Sequence, residues 1–362
     1  MFHKPIAFIA LLCSLVSLPS WADIELNILC WEGYAPADRV KQFEQYIADK
    51  YKQKLTINVE YAVEDKQWFE VIRAKKADII SPSHNIPKST TWPMVQFGLL
   101  LPINLNNIPN YQRLNPHLVL EEYALHQQKT YAVPLLYGPY GLAYNTEKVM
   151  NPPTSWNVLW DPQYANQYTV SEVFYEVNIY LTALALGYPA SQLQDYEAFS
   201  KDKQFIAKLS ELAGNANKLW GGIDTAEDLK GLSLATSFGF AFSELEKQGE
   251  KWTFATPKEG QTAWVDHWAI GYSLKDSPLK KQIAEEWINF TISEELQREY
   301  AQKLSSFPVI SQFDSALSSQ EIDRYQLNNP NFFQEQFFLL KFIDRRQQNG
   351  FRKLWEQAKL SQ

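Results

Sequence analysis

The chain has 362 residues, 45% hydrophobic and 14% aromatic, with 34 Lys and Arg against 41 Asp and Glu for a net charge of −7. That acidity argues against nucleic acid and anionic membrane surfaces as partners. The length exceeds what one core usually fills, so two lobes are expected.

Residues 1–22 open with Lys4, continue through an apolar run at 6–18 and end on small residues Ser20 and Ala22. This is the pattern of a cleaved export signal, too short to span a bilayer. Leu12 before Cys13 gives no reason to expect a lipid anchor. No later run is long enough for a membrane helix, so the mature chain is expected to be exported without membrane insertion. Cys30 is then its one cysteine, which leaves no internal disulfide.

Ile24, Leu26 and Ile28 alternate in a first strand over 24–30, and Pro36 opens a helix with Val40, Phe43 and Ile47 at helical spacing. Leu55, Ile57, Val59 and Tyr61 alternate in a second strand. A helix carrying Trp68, Val71 and Ile72 leads to a short third strand at 78–80. This alternation implies a parallel sheet with right-handed crossovers. Ligands of such sheets bind beyond the carboxyl ends of the strands. Trp31-Glu32-Gly33-Tyr34 and Ser81-Pro82-Ser83-His84-Asn85 sit there, so two aromatics and a polar loop meet at one rim. Edge packing and a surface-loop histidine are the plainer alternatives.

Residues 131–145 read as extended chain crossing to a second lobe, with Tyr137, Tyr140 and Tyr144 along it. A helix is expected over 171–186, stopped by Gly187-Tyr188-Pro189. Glu172 and Glu176 lie four apart and so on one face, either capping that helix or pointing into a cleft. A strand at 232–236 runs into Ser237-Phe238-Gly239-Phe240. The return crossing is 254–270, where a strand puts Trp264, Asp266 and Trp268 on one face. A carboxylate between indoles makes sense if a cation arrives there. The alternative is an Asp satisfied by backbone donors. Helices over 277–290 and 294–304, a Phe-rich tail at 331–340 and a last helix with Phe351, Leu354 and Trp355 complete the chain.

Taken in order, Trp31-Glu32-Gly33-Tyr34-Ala35-Pro36, Asp78-Ile79-Ile80-Ser81-Pro82-Ser83, Tyr131-Ala132-Val133-Pro134, Pro257-Lys258-Glu259-Gly260 and Trp264-Val265-Asp266 resemble the periplasmic spermidine/putrescine-binding proteins. The resemblance covers nearly the whole mature chain. It implies an α/β fold of two lobes, each a central mostly parallel sheet flanked by helices, hinged by crossover strands and located in the periplasm. Lobe one is then 23–133 plus about 266–308, and lobe two about 134–265 plus about 309–362. By position, the resemblance implies that Trp31 and Tyr34 stack on a polyamine, Trp264 forms a second wall and Asp266 anchors an ammonium. Phe238 stands where the family often has Trp, and Glu172 and Glu176 fall near its acidic pair. Ser83 keeps the Pro-Ser loop, while His84 and Asn85 replace the Tyr that follows. A late Gln corresponds to Gln334 or Gln336.

The implied membrane partner is an inner-membrane ABC permease, or a membrane-bound cyclic-di-GMP phosphodiesterase receptor that is told of norspermidine or spermidine. No His-Glu-x-x-His, Gly-x-Ser-x-Gly or phosphate-binding glycine loop occurs. No catalytic residue, cofactor or metal ligand is expected. A sugar- or iron-binding protein of the same fold and a secreted glycosidase with paired carboxylates remain the alternatives, separated by the charge of the ligand.

Overall fold

The computed structural model describes residues 23–360. The export signal expected at 1–22 lies outside the described residues. Ile24–Cys30 (β1) pairs in parallel with Leu55–Tyr61 (β2) and with Ile79–Ile80 (β3), so that Ile28 meets Val59 on one side and Ile79 on the other. The crossovers are the helices Ala37–Tyr51 (α1) and Lys66–Arg73 (α2). Val40, Phe43 and Ile47 on α1, and Trp68 and Ile72 on α2, recur three or four apart and are buried.

Val133–Asn145 (β4) then leaves this half of the molecule. The far half is built from Tyr168–Ser171 (β5), the helix Tyr175–Ala185 (α3), Lys218–Trp220 (β6) and Leu234–Ser237 (β7). Gln261–Gly271 (β8) returns. The sheet runs β2-β1-β3-β8-β4-β7-β5-β6. β8 is antiparallel to both β3 and β4, whereas β7, β5 and β6 are mutually parallel. Every residue of β4 and β8 is buried. Strands covered on both faces need no polar alternation, and β4 accordingly reads as a nearly continuous apolar run, whereas β8 buries Gln261, Thr262, Asp266 and His267 among its apolar residues.

After β8 come the helices Pro278–Thr291 (α4) and Glu294–Lys303 (α5), then Phe307–Pro308 (β9) on β4 and Phe337–Leu339 (β10) parallel to β8. The last helix, Arg345–Leu360 (α6), buries Phe351, Leu354, Trp355 and Ala358 in the second core with Ile179, Phe205 and Leu209. The first core holds Leu26, Phe43, Trp268, Trp287 and Tyr300.

The tail contributes to both cores. Val309, Ile310, Phe333 and Phe337 belong to the first core, and Arg298 of α5 pairs with Glu321. Phe338, Leu340 and Ile343 pack on the second core, whereas Phe342 meets Trp92 in the first half. The expected helix over 171–186 begins at Tyr175, because Ser171 Oγ accepts from the N–H groups of Val173 and Phe174 and closes a turn first.

Candidate functional site

Asp266 is the centre of the site. It sits on β8 where the register against β4 shifts: Asp266 faces Leu136, but His267 faces Pro134. A bulge of this kind bends a strand and re-aims its side chains. The carboxylate is 4% exposed, and its partners are hydroxyls rather than cations. Tyr34 Oη donates to Oδ2 at 2.7 Å and Ser83 Oγ to Oδ1 at 2.5 Å. Each oxygen keeps a further lone pair. Burial pushes the Asp266 pKa up to about 7, with the Ser83 and Tyr34 donors opposing the rise and the nearby Asp65 adding to it. Burial, then Asp266, also raises the Tyr34 phenol well above its usual range.

Local sequence explains this convergence. Gly33 turns the chain after β1 at φ +90, and a Cβ there would lie 2.8 Å from Leu304. That close turn tucks Tyr34 under α5, where its carbonyl accepts from Tyr300 Oη at 2.9 Å. The Ser83 loop is stitched to β8, with His84 N–H donating to the Val265 carbonyl at 2.8 Å and His267 N–H to Pro82 at 2.9 Å. Asn85 is half-buried in the same turn.

The aromatic residues expected at the site form clusters of their own. Trp31 is half-buried and stands edge-on to Trp68, centroids 5.2 Å apart. Trp264 stacks on Phe240 at 6.0 Å and its indole N–H donates to the Pro139 carbonyl at 3.3 Å. Phe238 lies between Tyr140 and Phe174, 4.9 Å from each, with Trp220 behind. Buried Asp224 fixes this loop by accepting from Ser237 Oγ at 2.6 Å and from Phe238 N–H at 2.9 Å.

Several expected residues take other positions. Trp268 does not wall the cleft; it packs on Trp287 in the core and donates to Thr291 at 2.8 Å. His84 is buried, with Nε2 2.8 Å from the Leu340 carbonyl and Nδ1 accepting from Val265 N–H. Burial lowers its pKa to about 4, so the ring is neutral and both nitrogens are engaged. Glu172 lies in the turn before α3, not on a face shared with Glu176, and Lys359 of α6 pairs with its carboxylate. Glu176 is half-buried in the first turn of α3, and burial pushes its pKa up to about 7, Asp65 adding to the rise. Gln334 is exposed on the short helix Phe332–Gln336, whereas Gln336 is half-buried beside the Gly260 turn.

Sequence reasoning did not single out Phe174, which packs on Phe238, or Phe240, which stacks on Trp264. A surface hollow of about 920 Å³ lies elsewhere, between α1, α5 and the Ser319–Arg324 helix. Its charges are mutually paired, Arg39 with Glu295 and Glu299, and Arg298 with Glu321. Among the described residues no His, Cys, Asp and Glu cluster could hold a metal ion, and no helix is long and apolar enough to cross a membrane.

The profile of a family described as bacterial extracellular solute-binding protein matches residues 74–332. A spermidine/putrescine-binding periplasmic protein of Haemophilus influenzae is 27% identical over 208 residues, covering 55% of this chain and 53% of that protein. The chain thus spans about half the length of that relative. A spermidine/putrescine-binding periplasmic protein of Salmonella typhimurium is 22% identical over 284 residues, 76% and 74% of the two chains. In three dimensions the chain resembles a spermidine/putrescine ABC transporter substrate-binding protein from Streptococcus pneumoniae, with TM-score 0.73 at 19% identity over 93% of this chain and 99% of that one. The Atu4243–GABA receptor shares the fold at TM-score 0.64 and 15% identity, over 92% and 97% of the chains. The fold therefore admits different ligands, and the site has to name this one.

Proposed function

The chain belongs to the bacterial extracellular solute-binding proteins, and on that premise we propose that it captures a polyamine in the periplasm. The observation that carries this reading is Asp266: a buried carboxylate that accepts from the Tyr34 and Ser83 hydroxyls and, among the described residues, has no cationic partner. A buried carboxylate is costly unless paired, and an ammonium supplies the missing charge. Trp31, Trp264, Phe240 and Phe238 then form an apolar sleeve for methylenes, and Glu176 across the cleft takes a second ammonium. Charge-assisted hydrogen bonds contribute roughly 1.5–3 kcal/mol each and desolvated cation–π contacts about 2 kcal/mol. A few of each reach the roughly 8 kcal/mol of micromolar binding. The names of the relatives and the acidic net charge support the same reading.

The closed form is then presented to a membrane partner. An ABC permease is the reading that the relatives' names favour; a receptor informed by norspermidine or spermidine is the other. Thermal-shift titration tests the ligand class. Spermidine, norspermidine and putrescine raise the melting temperature, whereas a neutral oligosaccharide and GABA do not. A protein whose melting ignores all three amines is not a polyamine-binding protein.

A further inference from the structure

β8 has β4 along one edge and two short strands along the other, β3 beside Ala269 and Ile270 and β10 beside residues 261–263. Between those two strands the edge is covered by the Ser83 loop. Ser83 faces Asp266 in an isolated antiparallel bridge, and His267 N–H donates to the Pro82 carbonyl at 2.9 Å.

The ring of His84 closes this seam. Its backbone N–H donates to the Val265 carbonyl at 2.8 Å. Val265 N–H donates in turn to ring Nδ1 at 3.4 Å, where a regular ladder would place a backbone carbonyl. On its other side Nε2 lies 2.8 Å from the carbonyl of Leu340, the residue that follows β10. A carbonyl only accepts, so the neutral ring satisfies both contacts with its proton on Nε2. The side chain is 2% exposed and Tyr123 meets it edge-on at 4.8 Å. His267 holds the opposite tautomer, because its Nδ1 lies 3.0 Å from the Val265 carbonyl and its buried Nε2 has no partner. One imidazole thus joins three segments far apart in sequence.

We propose that His84 is the positioning residue of the site: its ring splices the Ser83 loop to β8 and to the chain after β10, and so holds the Ser83 hydroxyl on Asp266. The inference rests on Asp266 being the ammonium anchor. Ser83 Oγ donates to Asp266 Oδ1 at 2.5 Å, and such a donor keeps a buried carboxylate charged and oriented. His84 does this from behind the site, with both ring nitrogens engaged and no contact to the ligand.

A double-mutant cycle read by calorimetric titration with spermidine tests this. Ser83→Ala and His84→Phe are each expected to weaken binding by at least about tenfold, roughly the worth of one charge-assisted hydrogen bond. The double variant should lose less than about threefold beyond either single one, because both changes remove the same donor. His84→Gln, whose amide still donates toward Leu340, should lose less than His84→Phe. Losses that simply add, or His84→Phe affinity within about threefold of wild type, overturn the proposal. Imidazole nitrogen NMR of the ligand-free wild type is independent of the variants and of the amine. It should show His84 with its proton on Nε2 and His267 with its proton on Nδ1. His84 protonated on Nδ1 overturns the splice. Wild-type protein that shows the expected tautomers yet binds no spermidine overturns the polyamine reading and leaves the splice standing.

Discussion

At the scale of the residue, Asp266 is a group whose folded environment does not favour its own charge. Replacing it with Asn keeps the volume and removes the anion that an ammonium needs. Spermidine binding is expected to weaken by roughly 2–5 kcal/mol in Asp266→Asn. The ligand-free variant should melt no lower than wild type at pH 8, because a costly buried charge has gone. Affinity kept within about threefold, a loss of under about 0.7 kcal/mol, would remove Asp266 from the site. The raised pKa values give a second test. Asp266 and Glu176, ordinarily at 3.8 and 4.5, both stand at about 7 in the folded, empty protein. The folded state therefore holds their protons more tightly than the unfolded chain, and their contribution to stability declines as pH rises from about 4 to 7. Buried His84 and His267, depressed to about 4 and about 3, tilt stability the opposite way over much of that window. Melting curves thus mix opposing slopes, and binding is the cleaner readout. An arriving ammonium lowers the two carboxyl pKa values, so binding near pH 6.5 releases protons. Affinity should climb by up to about tenfold per pH unit for each carboxyl and level off above about pH 7. Calorimetry in buffers of different ionisation enthalpy measures the released protons; a count of zero contradicts the assignment.

At the scale of the element, the turn before β8 places Trp264 and Asp266. Glu259 accepts from Ser155 Oγ at 2.5 Å and from Trp156 N–H at 3.3 Å, and the Gly260 carbonyl accepts from Trp156 Nε1 at 2.8 Å. The Pro257-Lys258-Glu259-Gly260 stretch is thus tied to the Ser155-Trp156 segment. Gly260 has φ +77, and a Cβ there would lie 2.7 Å from the Phe338 ring. Gly260→Ala should lower stability in urea by about 1–3 kcal/mol, combining left-handed strain with the displaced ring. Unchanged stability would mean that the turn relaxes without cost. Elements of this kind show how far the chain was legible. The alternation of Ile24, Leu26 and Ile28 and the helical spacing of Val40, Phe43 and Ile47 follow from burial periodicity, so β1 and α1 were readable. The bulge at Asp266 was not, because a one-residue register shift leaves no trace in hydrophobic pattern. Nor was the Glu172–Lys359 pair, which joins residues 187 apart. Tyr34 and Asp266 were each legible from strand-end position and strand alternation; the hydrogen bond between them needs the Gly33 turn and the β8 crossing together.

At the scale of the whole molecule, charge acts at two distances. The chain carries a net charge of −7, which draws a polycation from solution. The site itself is buried and its contacts are short. Salt screens these two regimes unequally: the Debye length falls from about 10 Å at 0.1 M to about 3 Å at 1 M, whereas desolvated pairs are screened much less. Long-range attraction governs encounter, and buried contacts govern escape. Stopped-flow tryptophan fluorescence, using rings such as Trp31 and Trp264 beside the site, should therefore separate them. Between about 0.05 and 0.5 M NaCl, where the Debye length shrinks roughly threefold, the association rate for spermidine is expected to fall several-fold with little change in the dissociation rate. The opposite partition, with salt chiefly accelerating release, would mean that the ammonium groups stay hydrated at the protein surface. In that event Asp266, for all its burial, is not where the ligand's charge comes to rest.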